Sequence, residues 1–230
     1  MKILALDSCM NTSSVALLED DRLIALYTVN TNNTHSETLL PMIKELLRSA
    51  DTSVDEIDAY AVSYGPGSFT GVRIGVATVK GLSFGREKPC VEVSTIEALA
   101  TNLEGYDGII CPVMNARRGQ VYTGAFRNGE RIMDDCCVML DELIPMLEGY
   151  NDSIYFVGDG YELAEKKEIK NMRTTPELQR YACAYSVGKV AYRKILSGKS
   201  VSDTDLRVNY LRKPQAERER EERLAKESKL

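Results

Sequence analysis

Histidine is almost absent from this sequence: the 230 residues include one, His35. A zinc site built from several imidazoles is therefore excluded, and a serine-hydrolase triad would have a single candidate base. Position 39, four residues on, is a leucine, and Ser36 is too near in sequence to act as the nucleophile of His35. We therefore expect His35 to be neither a metal ligand nor a catalytic base, and we predict no metal site.

Long apolar runs and an excess of basic residues are also missing. No stretch of about 18 apolar residues occurs, so we expect no membrane span. Asp7 interrupts the first apolar run too early for a signal peptide. The net charge of −5 argues against a chain that binds nucleic acid alone through a broad basic face. The six cysteines show no Cys-x-x-Cys spacing, which predicts reduced thiols. Together these features predict a cytoplasmic protein that does not contact membranes.

The sequence has enough apolar material for a large core. Apolar residues make up 43% of the chain, the usual share for globular proteins. A chain of this length needs no disulfide or metal to fold, and it corresponds to one large domain or two small lobes.

The predicted elements follow the same order in both halves of the chain. The first half reads as strands at 2–9, 13–19 and 22–29, a helix at 34–50, a strand at 59–64, a helix at 71–85, a strand at 90–93 and a helix ending near 103. The second half reads as strands at 109–114, 120–127 and 130–138, a helix ending near 148, a strand at 154–157 and helices at 161–168 and 177–197. This order predicts two α/β lobes with mixed sheets, an N-terminal lobe at 1–105 and a C-terminal lobe at 106–212. A charged tail, 213–230, is expected to be a solvated helix or disordered.

Local signals mark several boundaries. Thr34 and Glu37 have the spacing of a capping box, and Pro41 is expected to kink the following helix or to delay its start. Asn128 and Gly129 predict a hairpin turn between two strands. Asp141 is expected to cap the helix that ends near 148.

A glycine-rich block at 65–75 (Gly-Pro-Gly-Ser-Phe-Thr-Gly-Val-Arg-Ile-Gly) is the most unusual stretch. It is either a tight turn and helix cap or an anion-binding loop, but it lacks the ending of a Walker A loop. Interior glycines cost a helix about 1 kcal/mol each relative to alanine. We therefore expect the small face at Gly71 and Gly75 to approach another element closely, either the chain's own helix 34–50 or a partner subunit.

Asp7 ends the first predicted strand, where two-lobed phosphotransferases with this strand order place an aspartate that organises Mg²⁺ and phosphates. The following loop has no glycine, however, and Asn115 stands at the matching place of the second half. Gly158-Asp159-Gly160 either borders an adenosine pocket or forms a turn.

Five blocks of the sequence resemble the bacterial TsaB family. They are Asp7-Ser8, residues 35–41 (His-Ser-Glu-Thr-Leu-Leu-Pro), the glycine-rich block at 65–75, residues 116–122 (Ala-Arg-Arg-Gly-Gln-Val-Tyr) and residues 208–212 (Val-Asn-Tyr-Leu-Arg). The blocks span nearly the whole chain, and the glycine-rich block is highly specific. Asn115 departs from the aspartate usual in the family.

The resemblance implies an α/β fold with two ribonuclease-H-like lobes, as in the acetate and sugar kinase, Hsp70 and actin superfamily. It implies a role in making N6-threonylcarbamoyladenosine at position 37 of tRNAs that read codons starting with A. In that family the paralogue TsaD is catalytic, and ATP and Mg²⁺ are expected on partner subunits. TsaB is the dimerisation subunit, with no tightly bound cofactor. The ATPase TsaE joins the assembly, and the subunit is expected to encounter tRNA only as part of the complex. Without the partner, a homodimer is expected.

The resemblance also implies a subunit interface formed by the helices at 34–50 and 71–85. The matching positions are His35, Glu37, Gly67, Thr70, Gly71, Arg73 and Gly75. TsaD relatives carry a His-x-x-x-His metal pair in the first of these helices, of which this chain has only His35.

Three functions compete at this point. The first is a non-catalytic scaffold that binds the TsaD paralogue. The second is a nucleotide-dependent kinase or acyltransferase of the same fold, with Asp7 on Mg²⁺. The third is a peptidase that uses His35, which the sequence supports poorly because it offers a single histidine. For the scaffold, Gly75→Leu is expected to prevent assembly while leaving the fold intact.

Overall fold

The computed structural model describes residues 1–31 and 33–212, and the predicted charged tail lies outside them. The strands are β1 (Lys2–Asp7), β2 (Thr12–Glu19), β3 (Arg22–Asn30), β4 (Ala59–Gly65), β5 (Cys90–Ser94), β6 (Ile109–Asn115), β7 (Gln120–Arg127), β8 (Glu130–Met139), β9 (Ile154–Val157) and β10 (Met172–Arg173). The helices are α1 (His35–Ser49), α2 (Phe69–Ser83), α3 (Thr95–Thr101), α4 (Leu140–Glu148), α5 (Tyr161–Glu165) and α6 (Ala184–Leu196).

Two five-stranded sheets repeat one topology. The first sheet has the order β3-β2-β1-β4-β5, and the second has the equivalent order β8-β7-β6-β9-β10. In each, the first three strands are antiparallel and the last two run parallel to the first. The predicted repeat of element order is confirmed, and each lobe has the ribonuclease-H-like arrangement.

The first sheet is covered on both faces, which explains the continuous apolar run of its central strand. Leu4 and Leu6 of β1 point into a core that includes α1 and α2. Ile3 and Ala5, on the opposite face, pack with Val187 and Ala191 of α6. The alternation along β1 follows the two-residue period of a strand and places helices on either side.

The position of α6 corrects the predicted lobe boundary. The sequence analysis assigned all of 106–212 to the C-terminal lobe, but α6 contacts β1, β2, β4 and β5 of the first sheet. The chain therefore returns to the first lobe after completing the second sheet. The physical reason is that the outer face of the first sheet, with Ile3, Ala5 and Leu18, needs an apolar cover, and α6 supplies it.

The predicted helix at 177–197 is also corrected. A 3-10 turn at Glu177–Arg180 is separated from α6 by an extended segment. The side-chain amide of Asn102 donates to the carbonyl oxygens of Gln179 (3.0 Å) and Tyr181 (2.8 Å). The Ser14 hydroxyl accepts the backbone N–H of Ala184 at 2.9 Å. These bonds hold the segment out of a helix.

Local predictions have mixed outcomes. The capping box of Thr34 and Glu37 is confirmed, and the hairpin at Asn128-Gly129 is confirmed with positive φ at both residues. Pro41 lies inside α1 and does not delay its start. Asp141 lies in the first turn of α4, whose N-cap is Met139. None of the helices within the described ranges has the length and apolarity needed to cross a membrane.

Candidate functional site

Asp7 lies at the end of β1 and is completely buried. The Ser63 hydroxyl donates to one carboxyl oxygen, and the backbone N–H of Cys9 donates to the other at 3.0 Å. Burial raises the pKa of Asp7, while these hydrogen bonds oppose the shift. Both oxygens are engaged inside the protein, so the carboxylate is not presented to a ligand.

The loop after β1 is closed by the start of α2. The Ser8 hydroxyl donates to the Gly71 carbonyl oxygen at 2.9 Å, and the Ser68 N–H donates to the Cys9 carbonyl oxygen at 2.8 Å. Cys9 and Met10 are buried, which continues the apolar core through the loop. A loop with buried side chains and backbone groups paired to α2 leaves little backbone available to hold phosphate.

The glycine-rich block makes this closure possible. A β-carbon at Gly71 would lie 2.0 Å from the Ser8 carbonyl oxygen, and one at Gly67 would lie 2.4 Å from the Cys9 carbonyl oxygen. At Gly75 it would lie 2.6 Å from the Ser8 hydroxyl. The expected close neighbour is therefore within the chain, chiefly the β1–β2 loop, and these glycines need no partner subunit to explain them.

The predicted effect of Gly75→Leu on the fold is consequently wrong. Gly75 is buried, and its nearest neighbours include Val62 of β4 as well as Ser8. A leucine there would displace the chain's own interior, so the fold would not stay intact. Gly81 differs: among the described residues, no atom lies within 4 Å of the position that its β-carbon would take. It plays no part in this packing.

His35 is a structural link between α1 and the β1–β2 loop. Its Nε2 lies 2.8 Å from the Met10 carbonyl oxygen, which only accepts, so Nε2 carries a proton. Its Nδ1 lies 2.6 Å from the Ser13 hydroxyl. With both ring nitrogens engaged, His35 is not placed as a catalytic base, and the peptidase hypothesis loses its single candidate.

The remaining predicted interface residues lie on the outer surface of α1 and α2. Glu37, Thr70 and Arg73 are exposed. Thr34 donates to the Glu37 carboxylate and lowers its pKa. On the same helices Leu40 is 55% exposed. We call the exposed residues of these two helices the α1–α2 face; its place in a subunit interface stays a prediction.

The C-terminal segment 206–212 ties the two lobes together. The Asn209 N–H donates to the Tyr64 carbonyl oxygen at 2.7 Å, and Tyr210 stacks on Phe69 with ring centroids 4.8 Å apart. Arg73 donates through Nε to the Tyr210 hydroxyl at 2.6 Å. Arg212 then reaches the second lobe and donates to the Ala116 carbonyl oxygen at 2.7 Å. The block at 208–212 thus has a defined role as a strap between lobes.

A cleft of about 450 Å³ opens between the lobes. Its lining includes Asn11 and Phe69 from the first lobe and Asn115, Arg117 and Asp159 from the second. The exposed Asp159 carboxylate accepts the Asn115 N–H at 2.9 Å. Gly158-Asp159-Gly160 therefore borders the cleft, and the Asp159 side chain holds the backbone of Asn115 through this hydrogen bond.

Sequence reasoning missed three residues that organise this region. Ser63 holds the Asp7 carboxylate, Tyr210 joins the strap to α2, and Arg212 joins it to the second lobe. Tyr210 and Arg212 lie in one of the family-like blocks, which was the available signal. No pattern in the sequence pairs Ser63 with Asp7. Across residues 1–31 and 33–212, no three His, Cys, Asp or Glu side chains group as metal ligands.

Comparison with known proteins identifies the family. Residues 29–218 match the model of the TsaD family, tRNA N6-adenosine threonylcarbamoyltransferase. The chain is 38% identical over 179 residues to the tRNA threonylcarbamoyladenosine biosynthesis protein TsaB of Bacillus subtilis, covering 76% of this chain and 78% of that protein. The chain belongs to the TsaB family. The resemblance of the sequence blocks to TsaB is therefore confirmed.

Solved structures support the same fold for this TsaB protein. A Pseudomonas aeruginosa protein described as similar to peptidase YeaZ superposes with a TM-score of 0.79 at 26% identity, covering 92% of this chain and 99% of that one. Component A of the (R)-2-hydroxyglutaryl-CoA dehydratase of Acidaminococcus fermentans shows the fold alone, with a TM-score of 0.52 at 12% identity over 85% of this chain and 99% of that one. The predicted two-lobed, actin-like fold is confirmed.

Proposed function

We propose that this TsaB protein is a non-catalytic subunit of the complex that makes N6-threonylcarbamoyladenosine at position 37 of tRNAs reading codons that start with A. The observation that carries the proposal is the closure of the β1–β2 loop over Asp7. The residue that would organise Mg²⁺ in a phosphotransferase is buried and bonded to Ser63 and Cys9. The similarity to the B. subtilis relative, which is named for this biosynthesis, supports a role in the same pathway.

The proposed partner is a TsaD paralogue, which would supply the catalytic centre together with bound ATP and Mg²⁺. The match of residues 29–218 to the TsaD family model indicates that the two chains share an architecture, and related chains commonly associate through equivalent surfaces. TsaE would join the assembled pair in the cytoplasm. Without the partner, the same surface would pair two copies of this chain.

The α1–α2 face is the proposed docking surface. Glu37 and Leu40 of α1 and Thr70, Arg73 and Ala77 of α2 are exposed, and the two helices contact each other in the first lobe. Leu40 is a large apolar side chain that is 55% exposed, so its burial by a partner would contribute favourable free energy to association. The glycines behind this face act indirectly, by fixing α2 against the β1–β2 loop.

Sedimentation of Leu40→Asp mixed with the TsaD of the same organism tests the proposal. We expect the wild-type chain to form a heterodimer, and we expect the aspartate to weaken association at least tenfold because a charge would be desolvated at the interface. Leu178→Asp is the matched control, since Leu178 is 88% exposed and lies in the 3-10 turn outside the α1–α2 face.

The two variants distinguish docking from a general loss of solubility. Both should give the circular dichroism spectrum of the wild-type chain. Equal association of Leu40→Asp and wild type would contradict the docking surface, and absence of any wild-type heterodimer would contradict the scaffold function itself.

A nucleotide-dependent kinase or acyltransferase remains the competing function, favoured by the open cleft between the lobes. Among the described residues its lining contains one carboxylate, Asp159, which already accepts the Asn115 N–H. Calorimetry of the isolated chain with Mg-ATP separates the two. The scaffold proposal predicts no binding at millimolar nucleotide, whereas binding that Asp7→Ala abolishes would favour the enzyme.

A further inference from the structure

The arginines without an acidic partner are concentrated at one place. Of the thirteen arginines at described positions, seven form salt bridges: Arg22, Arg48, Arg86, Arg127, Arg131, Arg193 and Arg207. The six with no such bridge among the described residues are Arg73, Arg117, Arg118, Arg173, Arg180 and Arg212. Arg117 and Arg212 line the cleft, Arg118 adjoins Arg117, and Arg73 lies over Phe69, which also lines it. We call Arg73, Arg117, Arg118 and Arg212 the arginine rim.

The turn between β6 and β7 is built to present two of these side chains. Arg117, Arg118 and Gly119 have φ values of 64°, 55° and 76°, a left-handed conformation that costs an L residue of the order of 1 kcal/mol. The Asn115 side chain accepts the Arg117 N–H at 2.9 Å, and Asp159 accepts the Asn115 N–H. These two hydrogen bonds hold the turn in place, while both arginine side chains are exposed.

The rim is a local positive surface on an acidic protein. The chain carries a net charge of −5. Asp159 is the one carboxylate among the described residues that line the cleft; it is exposed, and it accepts the Asn115 N–H. The four guanidinium groups thus outnumber the single carboxylate, an excess of positive charge that an anion would neutralise. This charge pattern favours an anionic ligand.

The spread of the rim favours an extended polyanion over a small one. Its members come from α2, from the β6–β7 turn and from the strap, so they belong to both lobes. Guanidinium groups bind phosphates through paired N–H donors, and a nucleic-acid strand repeats that phosphate along its length. Phe69 lines the cleft and Tyr210 is 37% exposed, so aromatic surface suitable for a base borders the cations.

We propose that the arginine rim binds the phosphate backbone of tRNA held by the assembled complex. The inference rests on the proposed function, because the tRNA is the substrate of that complex. It adds that this subunit itself contacts the tRNA, through Arg117 and Arg118 above all. The α1–α2 face would hold the protein partner and the rim would hold the RNA, with Arg73 at the border that the two surfaces share.

The test measures tRNA binding by the complex of this chain with its TsaD, using fluorescence anisotropy between about 50 and 200 mM salt. We expect Arg117→Ala/Arg118→Ala to reduce affinity about tenfold and to lower the slope of log K against log salt by about 1.5, the loss of two phosphate contacts. Arg117→Lys/Arg118→Lys keeps the charge and should restore most of the slope.

Arg22→Ala/Arg173→Ala is the matched control. It removes the same charge from exposed positions in β3 and β10, at the edges of the two sheets and outside the cleft lining. We expect this control to change affinity less than twofold. Sedimentation of the same samples verifies that each variant still assembles with TsaD.

Each alternative result is decisive. Unchanged tRNA affinity in an assembled Arg117→Ala/Arg118→Ala complex would overturn the inference and leave the proposed function intact. An equal loss in the control would show a general charge effect and would also overturn it. Loss of Mg-ATP binding with normal tRNA binding would overturn it too, by assigning the rim to a small phosphate ligand. Failure of the wild-type chain to associate with TsaD would overturn both proposals.

Discussion

Gly71 lies directly against the backbone of Ser8: a β-carbon at position 71 would be 2.0 Å from the Ser8 carbonyl oxygen. The Ser8 hydroxyl also donates to the Gly71 carbonyl oxygen at 2.9 Å. This contact holds α2 over the β1–β2 loop and keeps Asp7 enclosed. The glycine-rich block therefore packs against residues of the same chain, and it influences the α1–α2 face only by fixing the position of α2.

Replacement of Gly71 by alanine should destabilise the protein. The added methyl group meets backbone, which cannot rotate away, so we expect the free energy of unfolding to fall by about 3 kcal/mol in urea titrations. Gly81→Ala, on the same helix with no described neighbour within 4 Å, should instead raise it by up to about 1 kcal/mol through helix propensity. Equal stabilities would contradict the packing described for α2.

The burial of Asp7 predicts a pH dependence of stability. Its pKa is raised in the folded state, so the folded protein binds more protons than the unfolded chain between the unfolded pKa, about 3.9, and the raised value. The contribution of this group to stability is therefore present below the unfolded pKa and is lost as pH rises through the folded pKa. Asp7→Asn, which does not titrate, should gain stability relative to wild type as pH rises from about 4 to 7.

Urea titrations at several pH values measure this difference. Asp21→Asn, which makes the same substitution at an exposed position, is the matched control for the exchange itself. A relative stability of Asp7→Asn that stays constant or falls with rising pH would show that the Asp7 carboxylate is not desolvated as the structure indicates.

The strap predicts an energetic coupling between Arg73 and Tyr210. Tyr210→Phe removes the hydroxyl that accepts from Arg73 but keeps the stack on Phe69. A double-mutant cycle with Arg73→Ala, read by thermal unfolding, should give a coupling of about 1 kcal/mol from the hydrogen bond alone, because the phenylalanine ring keeps the cation–π contact with Arg73. The pair Arg173 and Tyr210, which make no contact, should couple by less than about 0.5 kcal/mol. Similar values for both cycles would argue against the strap.

Much of the fold follows from local pattern. The two- and 3.6-residue periods predicted the three-stranded meanders, the glycine-containing turns and, apart from the start of the helix predicted at 177–197, the helices within a few residues, because those signals depend on neighbours in sequence. The return of α6 to the first sheet did not follow, because its apolar stripe matches either lobe. Likewise, the stripe at Gly71 and Gly75 indicated a close neighbour without saying whether that neighbour was in the same chain.

The sequence by itself determined the absence of a multi-histidine site, the paired α/β lobes and the family, through composition, periodicity and a long specific block. Only the tertiary structure decided that Asp7 is enclosed, that His35 is a structural link, and that Arg73, Arg117, Arg118 and Arg212 gather around one cleft. These facts depend on contacts between residues far apart in the chain, such as Asp7 with Ser63 and Arg73 with Tyr210. Local propensity carries no information about such pairs, because packing of the whole core selects them.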